Sequence, residues 1–532
     1  MAKRAAALFV VFMLTMFLSV LTIFHLSNGT ELAEAAAQQQ TCKVTVAATR
    51  GTIYDCSLNP LTGDGGEEFA ASVVPTIETT KALNQVFSPS EMQSVYTILT
   101  DGKPFTLKLP KKITVPGIDV FTIQKRYSDR QTAVHTLGYL DGSGKGAAGI
   151  EKAFDSQLSA GQGKITVSYP VDAMNRVLSQ QQKVISDTSN LQNSGVVLTL
   201  DKSIQNLAEQ SASKYLKKGA VVVLEVPSGK IRAMVSLPSF SPNNVASVLN
   251  SADSPLLNRA TSAYSVGSVF KLAAAASALE YGLSPDESYT CTGSIDVDKG
   301  IFHCFDSEKH GKENMKQAIA NSCNTYFVNL MQKVPHANFL LMTQMLGFGR
   351  SFQIAPGMAS DAGVLPDLKS LDIPRALANF SFGQGDLTAT PLQIAGMVNA
   401  IASDGNFTQP YLYEGTVNAN RQFTQKAEPQ KSTNVMSEKT AALLRDFMKA
   451  SIDVGTSKKG KPTYGTAGAK TATAQTGKYV NGVEAVESWF AGFYPYEKPK
   501  YVIVVFAEGG DGGGTTCGPV FRDIADGLYN IL

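Results

Sequence analysis

The sequence lacks a strong excess of charge of either sign. Its 532 residues include 47 Lys and Arg and 45 Asp and Glu, which leaves a formal net charge of +2, and only 17% of residues are charged. No global basic field is present to bind nucleic acid, and no acidic tail is indicated. Internal repeats are absent as well. At ~150 residues per domain, the length of the chain predicts three to four folded domains.

Long apolar runs are also lacking, with one exception at the N-terminus. The segment Ala5–Phe24 has no charged residue and follows Lys3 and Arg4. At ~1.5 Å per residue it spans about 30 Å, the thickness of the hydrocarbon layer. This predicts a single-pass anchor with a cytoplasmic N-terminus and an extracytoplasmic body. A cleaved signal peptide is the alternative, with an A-x-A-like site at residues 33–35, although its apolar region should have only ~7–15 residues.

Cysteine and histidine are scarce, with six and five residues, and no CxxC pair occurs. Cys291 and Cys304 flank two strand-like halves around a turn, which predicts a disulfide worth about 3 kcal/mol. Free thiols are the second possibility. A zinc site that would recruit His303 and His310 is disfavoured because the spacings match no compact ligand pattern. No metal or cofactor is therefore expected, and Cys323, with no cysteine near it in sequence, should stay free.

The distribution of apolar runs predicts three regions: a cytoplasmic stub and anchor at 1–26, a β-rich module at 27–195 that ends in a polar linker (180–195), and a second domain at 196–532. In that domain we expect an α/β (α+β) fold whose mostly antiparallel sheet is assembled from both ends and flanked by helices. The expected elements are strands at 196–200, 220–224, 231–235, 489–493 and 501–506, with helices at 202–216 and 520–532.

The most informative motif is Ser268-Val269-Phe270-Lys271. Gly267 suits a turn into a helix, which would place Ser268 and Lys271 at i and i+3 on one face. An ammonium group among Ala, Leu and Phe loses solvation, which lowers its pKa and allows it to act as a base for the hydroxyl. An incidental Ser and Lys on an Ala-rich core helix is the structural alternative.

Two further motifs carry hydroxyl, amide and ammonium groups. Ser322 and Asn324 stand two positions apart after a helix-like segment, where a polar helix cap is the alternative. Lys470, Thr471 and Thr473 alternate along a strand-like segment and could hold a carboxylate at a sheet edge. Serine acyl enzymes of the penicillin-recognising group carry SxxK, SxN and KT in this order, so the three motifs together favour that chemistry.

The chain resembles the class B penicillin-binding proteins, which are peptidoglycan D,D-transpeptidases. The likeness rests on the three motifs and on the blocks RGTIYD (50–55), AGIEKAFD (148–155), GAVVVLEVPSGKIRAMVSLPSFSPN (219–243), GQG (383–385), TPLQ (390–393) and WFAGF (489–493). It implies a penicillin-binding transpeptidase (serine β-lactamase-like) fold on a non-catalytic pedestal.

The resemblance also implies a role for each motif residue. Ser268 would be the acylated nucleophile, Lys271 its base, Ser322 a proton relay and Asn324 the group that orients Lys271. Lys470, Thr471 and Thr473 would bind the carboxylate of a D-Ala-D-Ala stem peptide or of a β-lactam. A SEDS-type glycosyltransferase would be the partner.

The third residue of the KTG motif is the main departure from the family pattern, since this chain has Ala472 in place of Gly. We expect its methyl group to crowd bulky β-lactams at the sheet edge. A β-lactamase is disfavoured because no ExxN-type element follows SxN. A D,D-carboxypeptidase and a non-catalytic β-lactam sensor or scaffold are the remaining alternatives.

Overall fold

The computed structural model describes residues 2–27, 41–160, 163–172, 174–178, 182–189, 195–480 and 482–531. The A-x-A-like site at 33–35 lies outside the described residues, and so do positions 180, 181 and 190–194 of the expected linker. Within that linker, Val184–Asp187 forms a strand.

The N-terminal helix Ala2–Ser27 contains the expected apolar run. Within the described residues, this is the one helix long and apolar enough to cross a membrane, with a mean hydropathy of 2.6 over Ala2–His25 and none of it buried in the protein. A signal sequence near the N-terminus passes the same test of length and apolar composition.

The chain divides into two compact units, and the first comprises residues 1–50, 66–125 and 161–192. It has two three-stranded antiparallel sheets, one ordered Thr41–Ala48, Lys164–Pro170, Val184–Asp187 and the other Phe105–Leu109, Glu67–Val73, Ile118–Gln124. The helices Ile77–Asn84 and Pro89–Leu99 follow capping boxes at Thr76 and Ser88, whose side chains satisfy backbone N–H groups that would otherwise lack partners.

The second unit comprises residues 51–65, 126–160 and 193–532. The chain therefore crosses between the units several times, and the expected boundary at 195 lies near the last crossing. Arg126 joins the two early segments of this unit through an ion pair within its own segment and hydrogen bonds to the other. Arg126 donates to Glu151 Oε1 at 2.5 Å and to the carbonyl of Gly51 at 3.1 and 3.2 Å. This contact gives the Glu of the AGIEKAFD block a structural role.

The central sheet of the second unit consists of five antiparallel strands from both ends of the domain, as expected. They are β1 (Gly219–Glu225), β2 (Ile231–Leu237), β3 (Gly468–Val480), β4 (Val483–Tyr494) and β5 (Tyr501–Glu508), in the order β2-β1-β5-β4-β3. β3 is thus an edge strand.

Both faces of the central sheet are buried, which explains the continuous apolar runs in its strands. Along β5, Val504 and Phe506 face one apolar cluster while Ile503 and Val505 face the other, because successive side chains point to opposite faces. Burying a Val or Phe stabilises the fold by ~1.5–3 kcal/mol. An acidic residue at Val504 would therefore disrupt the layer that supports the site.

Helices cover these two faces and position the site. They are α1 (Lys202–Tyr215), α2 (Lys271–Glu280), α3 (Met315–Asn321), α4 (Asn324–Met331), α5 (Pro391–Ala402), α6 (Glu438–Asp453) and α7 (Gly518–Tyr529). Asp201 caps α1 as expected, accepting from the backbone N–H groups of Ser203 and Ile204. α7 begins two residues before the expected start, because Pro519 is well tolerated in the first turn.

Shorter elements complete the second unit. The strands are Ile53–Tyr54, Gly195–Leu198, Tyr264–Ser265, Tyr289–Cys291, Ser294–Val297, Gly300–His303, Gly311–Glu313, Gln353–Ala355, Met358–Ala359, Thr388–Ala389, Asn406–Thr408, Tyr413–Val417, Phe423–Lys426 and Ser432–Asn434. The helices are Val134–Leu137, Gly149–Ala153, Asp155–Ser159, His336–Met345, Leu368–Leu371, Pro374–Ser381 and Gly513–Thr516, with 3-10 turns at Val245–Val248, Gly267–Phe270, Phe305–Ser307 and Lys458–Gly460.

Candidate active site

Ser268 lies on a tight turn that only glycine can begin without strain. Gly267 has φ +65°, and its N–H donates to the carbonyl of Gly383 at 2.8 Å. A Cβ at Gly267 would come within 3.1 Å of the Cβ of Ala474 and 3.3 Å of that of Ala472 on β3. This close approach presents the half-buried Ser268 beside the edge strand, on the 3-10 turn that leads into α2.

Lys271 is the first residue of α2, and its side chain is fully buried. Its Nζ donates to the carbonyl of Ser322 at 2.5 Å and to Oδ1 of Asn324 at 2.7 Å, and lies 3.2 Å from Oγ of Ser322. Burial lowers the pKa of Lys271 to about 8, and nearby thiols of Cys323 and Cys304 oppose the shift. Near neutral pH a useful fraction of this amine is therefore neutral and able to accept a proton.

Ser322 occupies the break between α3 and α4. It has a left-handed backbone with φ 60° and ψ 37°, and Cys323 begins α4 as its N-cap. The amide nitrogen of Asn324 donates to the carbonyl of His303 at 2.8 Å. The sharp turn aims the Ser322 hydroxyl and the Asn324 carbonyl at one lysine.

Lys470 reaches the same hydroxyl from the opposite side. It is fully buried on β3, and its Nζ donates to Ser322 Oγ and to the carbonyl of Thr471, both at 2.9 Å. Burial, followed by the positive charge of Lys271, holds the pKa of Lys470 well below its usual range. One serine hydroxyl thus connects two lysines of lowered basicity, which forms a short path for proton transfer.

Thr471 and Thr473 share the other face of β3. Oγ1 of Thr471 lies 3.0 Å from that of Thr456, and Oγ1 of Thr473 accepts from the N–H of Gly513 at 3.3 Å. Thr473 is half-buried and Thr471 is 7% exposed.

Ala472 does not occupy the position that we expected from the sequence. Its side chain is 3% exposed and belongs to the apolar cluster behind the site. Its Cβ lies close to the backbone at Gly267 rather than on the open side of the strand. The expected crowding of β-lactams by this methyl is therefore not supported, because the strand directs the methyl inward.

A half-buried carboxylate beside the site escaped the sequence analysis. Glu487 on β4 pairs with Ala474 of β3, and burial raises its pKa to about 7. Its cross-strand partner on β5 is Glu508. Oε1 of Glu508 accepts a hydrogen bond from Nε of the buried Arg259 at 2.7 Å. No motif marks these residues, and only the strand register brings them to the site.

Residues 219–526 match the family described as the penicillin binding protein transpeptidase domain. This span is more than half of the chain. The chain belongs to this family. The resemblance to class B penicillin-binding proteins is thereby confirmed.

Curated relatives carry consistent names. The chain is 26% identical to the stage V sporulation protein D of Bacillus subtilis over 84% of this chain and 72% of that protein. It is 30% identical to the penicillin-binding protein PbpB of Mycobacterium tuberculosis over 76% of this chain and 61% of that protein. It is 31% identical to the peptidoglycan D,D-transpeptidase PbpA of Mycolicibacterium smegmatis over 57% of this chain and 66% of that protein. The chain thus spans between 61% and 72% of the length of these three relatives.

Solved structures share the fold. Penicillin-binding protein 3 from Mycobacterium tuberculosis, in complex with aztreonam, aligns with a TM-score of 0.67 and 24% identity over 92% of this chain and 97% of that chain. A chain from a peptidoglycan synthase complex that coordinates polymerization and crosslinking aligns with a TM-score of 0.70 and 24% identity over 99% of each chain. The expected penicillin-binding transpeptidase fold is confirmed.

The predicted Cys291–Cys304 disulfide is absent from the structure. Their sulfurs lie 3.7 Å apart, whereas a disulfide requires ~2.05 Å. Cys323 is free, as expected, although its sulfur lies 3.7 Å from that of Cys304, which is distant in sequence. Sequence distance hid this contact, because the hairpin Ser294–His303 returns Cys304 to the start of α4.

Proposed function

We propose that the chain is a peptidoglycan D,D-transpeptidase that acts through an ester on Ser268. The observation that carries the proposal is the position of Ser322 Oγ, within 3.2 Å of Lys271 and 2.9 Å of Lys470. The site therefore offers a hydroxyl nucleophile, a buried amine base and a relay between two amines. The family match and the transpeptidase named among the relatives support the substrate class.

In the first half-reaction, Oγ of Ser268 attacks the carbonyl carbon of the penultimate D-Ala in a stem peptide, and neutral Lys271 accepts the hydroxyl proton. The bond to the terminal D-Ala then breaks, and its amine leaves with a proton delivered through Ser322. The backbone N–H groups of Ser268 and Thr473 would stabilise the oxyanion, at ~10²–10³-fold in rate per donor. The two threonines and Lys470 would bind the terminal carboxylate.

In the second half-reaction, an amine of a neighbouring stem peptide attacks the ester carbonyl. The attacking amine loses a proton through the same Ser322 relay, and the Ser268 hydroxyl is restored. The product is a cross-link between two stems. Hydrolysis by water instead would make the protein a D,D-carboxypeptidase.

The reaction test is incubation of the full chain with a disaccharide stem-peptide donor ending in D-Ala-D-Ala and an acceptor amine. We expect a cross-linked product with release of D-Ala from the wild-type chain and neither from Ser268→Ala. Ser277→Ala is the matched control, since Ser277 is a buried serine on α2, the helix that follows the turn of Ser268. Release of D-Ala without cross-linked product would favour the carboxypeptidase, and a Ser268→Ala chain as active as wild type would contradict the proposal.

We further infer that the N-terminal helix is a retained anchor with its N-terminus in the cytoplasm, and that a SEDS-type glycosyltransferase is the partner. The helix composition and the two basic residues in its first turn support the orientation. The likeness to a chain of a peptidoglycan synthase complex supports the partner class. Labelling of intact cells by a membrane-impermeant β-lactam probe, with retention of a tag placed at Met1, tests the anchor and its orientation. Copurification of a multi-pass polymerase with the tagged chain tests the partner.

A further inference from the structure

Four side chains with metal-binding atoms converge at one point next to the SxN turn. They are Cys291, Cys304, His310 and Cys323, and their ligand atoms all lie within 4.8 Å of one another. The three cysteines are at most 3% exposed, and the His310 side chain is 10% exposed. No function assigned above uses this cluster.

Three of the six separations between the ligand atoms are close to the edges of a tetrahedron around zinc. With Zn–S distances of ~2.3 Å and Zn–N distances of ~2.05 Å, a tetrahedral site has S···S edges of about 3.75 Å and S···N edges of about 3.6 Å. The observed Sγ···Sγ distances are 3.7 Å for Cys291 to Cys304 and 3.7 Å for Cys304 to Cys323. Sγ of Cys291 lies 3.4 Å from Nδ1 of His310.

Hydrogen-bond donors surround the sulfurs in a way that suits thiolates. The hydroxyl of Thr325 donates to Sγ of Cys291 at 3.2 Å, and the N–H of Tyr326 donates to Sγ of Cys323 at 3.4 Å. The other ring nitrogen of His310 lies 3.4 Å from Oε2 of Glu308. That nitrogen makes no hydrogen bond among the described residues, and Nδ1 is the ring atom that faces the sulfur of Cys291.

The four residues come from separate elements that a metal would join. Cys291 ends a strand that pairs with the strand directly after His310, and Cys304 follows the hairpin Ser294–His303. Cys323 lies between Ser322 and Asn324, both of which contact Lys271. A metal here would fix the loop at 289–313 to the turn that presents these two groups.

We propose that Cys291, Cys304, His310 and Cys323 form a closed Cys3His zinc site that positions the SxN turn. Binding releases a proton from each thiol, so three thiolates, a neutral imidazole and Zn²⁺ leave a net charge of −1. All four positions are taken by protein ligands, which is typical of a structural rather than a catalytic zinc. Its effect on acylation rests on the proposed function, whereas its occupancy does not.

The test begins with metal analysis of the full chain, purified under reducing conditions from medium supplemented with zinc. We expect one zinc per chain in the wild type and in Cys517→Ser, a matched control that alters a buried thiol outside the cluster. Cys304→Ser should lose most of the zinc, and His310→Cys should retain it because four ligands remain. Exchange with Co²⁺ should give an intense thiolate-to-cobalt charge-transfer band and the visible bands of a tetrahedral site.

A wild-type chain without zinc above the buffer blank, and without the charge-transfer band after Co²⁺ addition, would overturn the proposal, whether or not the chain reacts with penicillin. Equal zinc content in wild type and a folded Cys304→Ser would do the same. The positioning role has a separate readout: removal of zinc by a chelator should slow penicillin acylation tenfold or more, since a shift of ~1 Å can cost ~10²-fold. An unchanged rate after verified zinc loss would overturn that role.

Discussion

The two turns that build the site are held in different ways. The nucleophile turn at 267–271 is fixed by apolar packing, with Gly267 pressed against Ala472 and Ala474 of β3. The SxN turn at 322–324 is fixed by polar contacts to two buried lysines and lies against a cluster of thiols. The nucleophile turn has no room for an added methyl group at Gly267. The SxN turn depends instead on the charge and protonation of Lys271 and Lys470.

The largest expected effect comes from removing the base that joins the two turns. Lys271→Arg keeps a positive charge but cannot lose a proton, because guanidinium remains protonated in proteins. We expect penicillin acylation to fall by ~10²–10⁴-fold, the usual contribution of a general base. Stopped-flow or gel-based labelling measures the rate.

The control for this variant is Lys333→Arg, at an exposed lysine that pairs with Glu287 away from the site. Near-normal acylation in Lys271→Arg would mean that the base lies elsewhere, with Lys470 as the next candidate.

The packing of the first turn is tested by Gly267→Ala. A left-handed backbone costs ~1–2 kcal/mol for a residue with a Cβ, and here the methyl would also meet the Cβ atoms of Ala474 and Ala472. We expect a loss of unfolding free energy of at least that size and a fall in acylation of about 10²-fold, because Ser268 is displaced. Chemical denaturation and penicillin labelling measure the two effects.

Gly282→Ala provides the matched comparison, since Gly282 also has a positive φ but a Cβ there meets nothing within 4 Å. Equal acylation in both glycine variants and wild type would show that the nucleophile turn does not depend on this packing.

The charge dependence of the second turn predicts a pH profile. With a pKa of about 8, Lys271 is mostly protonated at pH 6 and mostly neutral at pH 9. The acylation rate should therefore rise about tenfold per pH unit at low pH and level off near pH 8, because each unit changes the neutral fraction tenfold. A rate that is constant or falls between pH 6 and pH 8 would exclude Lys271 as the base.

The smallest expected effect concerns Ala472, where the structure reverses the expectation from sequence. Because its methyl packs inward against the first turn, Ala472→Gly should lower the unfolding free energy by ~1 kcal/mol without raising the acylation rate. Ala469→Gly removes a methyl from the opposite face of the same strand and should cost a similar amount. A several-fold faster acylation in Ala472→Gly alone would restore the crowding hypothesis.

The sequence predicted much of the fold because its strands and helices have strong local signals. The hairpin of β1 and β2, the Asp201 cap and the assembly of the sheet from both ends all follow from apolar runs and turn residues. The order of the three motifs predicted a penicillin-recognising serine enzyme, and the further sequence blocks made the resemblance to the transpeptidase family specific.

Side-chain direction and long-range contacts were not predictable in the same way. The inward methyl of Ala472 depends on which face of the edge strand packs against Gly267. The contact of the Ser322 hydroxyl with both Lys271 and Lys470 joins two lysines that are 199 residues apart in sequence (470 minus 271). The convergence of Cys304 and Cys323 depends on a hairpin that folds back on α4, which no local pattern records.

The central claim is that Ser268 is the nucleophile served by these two turns. Its most direct test is peptide mapping by mass spectrometry after incubation of the full chain with a labelled penicillin. We predict one adduct per chain on the peptide that contains Ser268, and none in a folded Ser268→Ala variant. An adduct on any other serine, or labelling that persists in Ser268→Ala, would contradict the account.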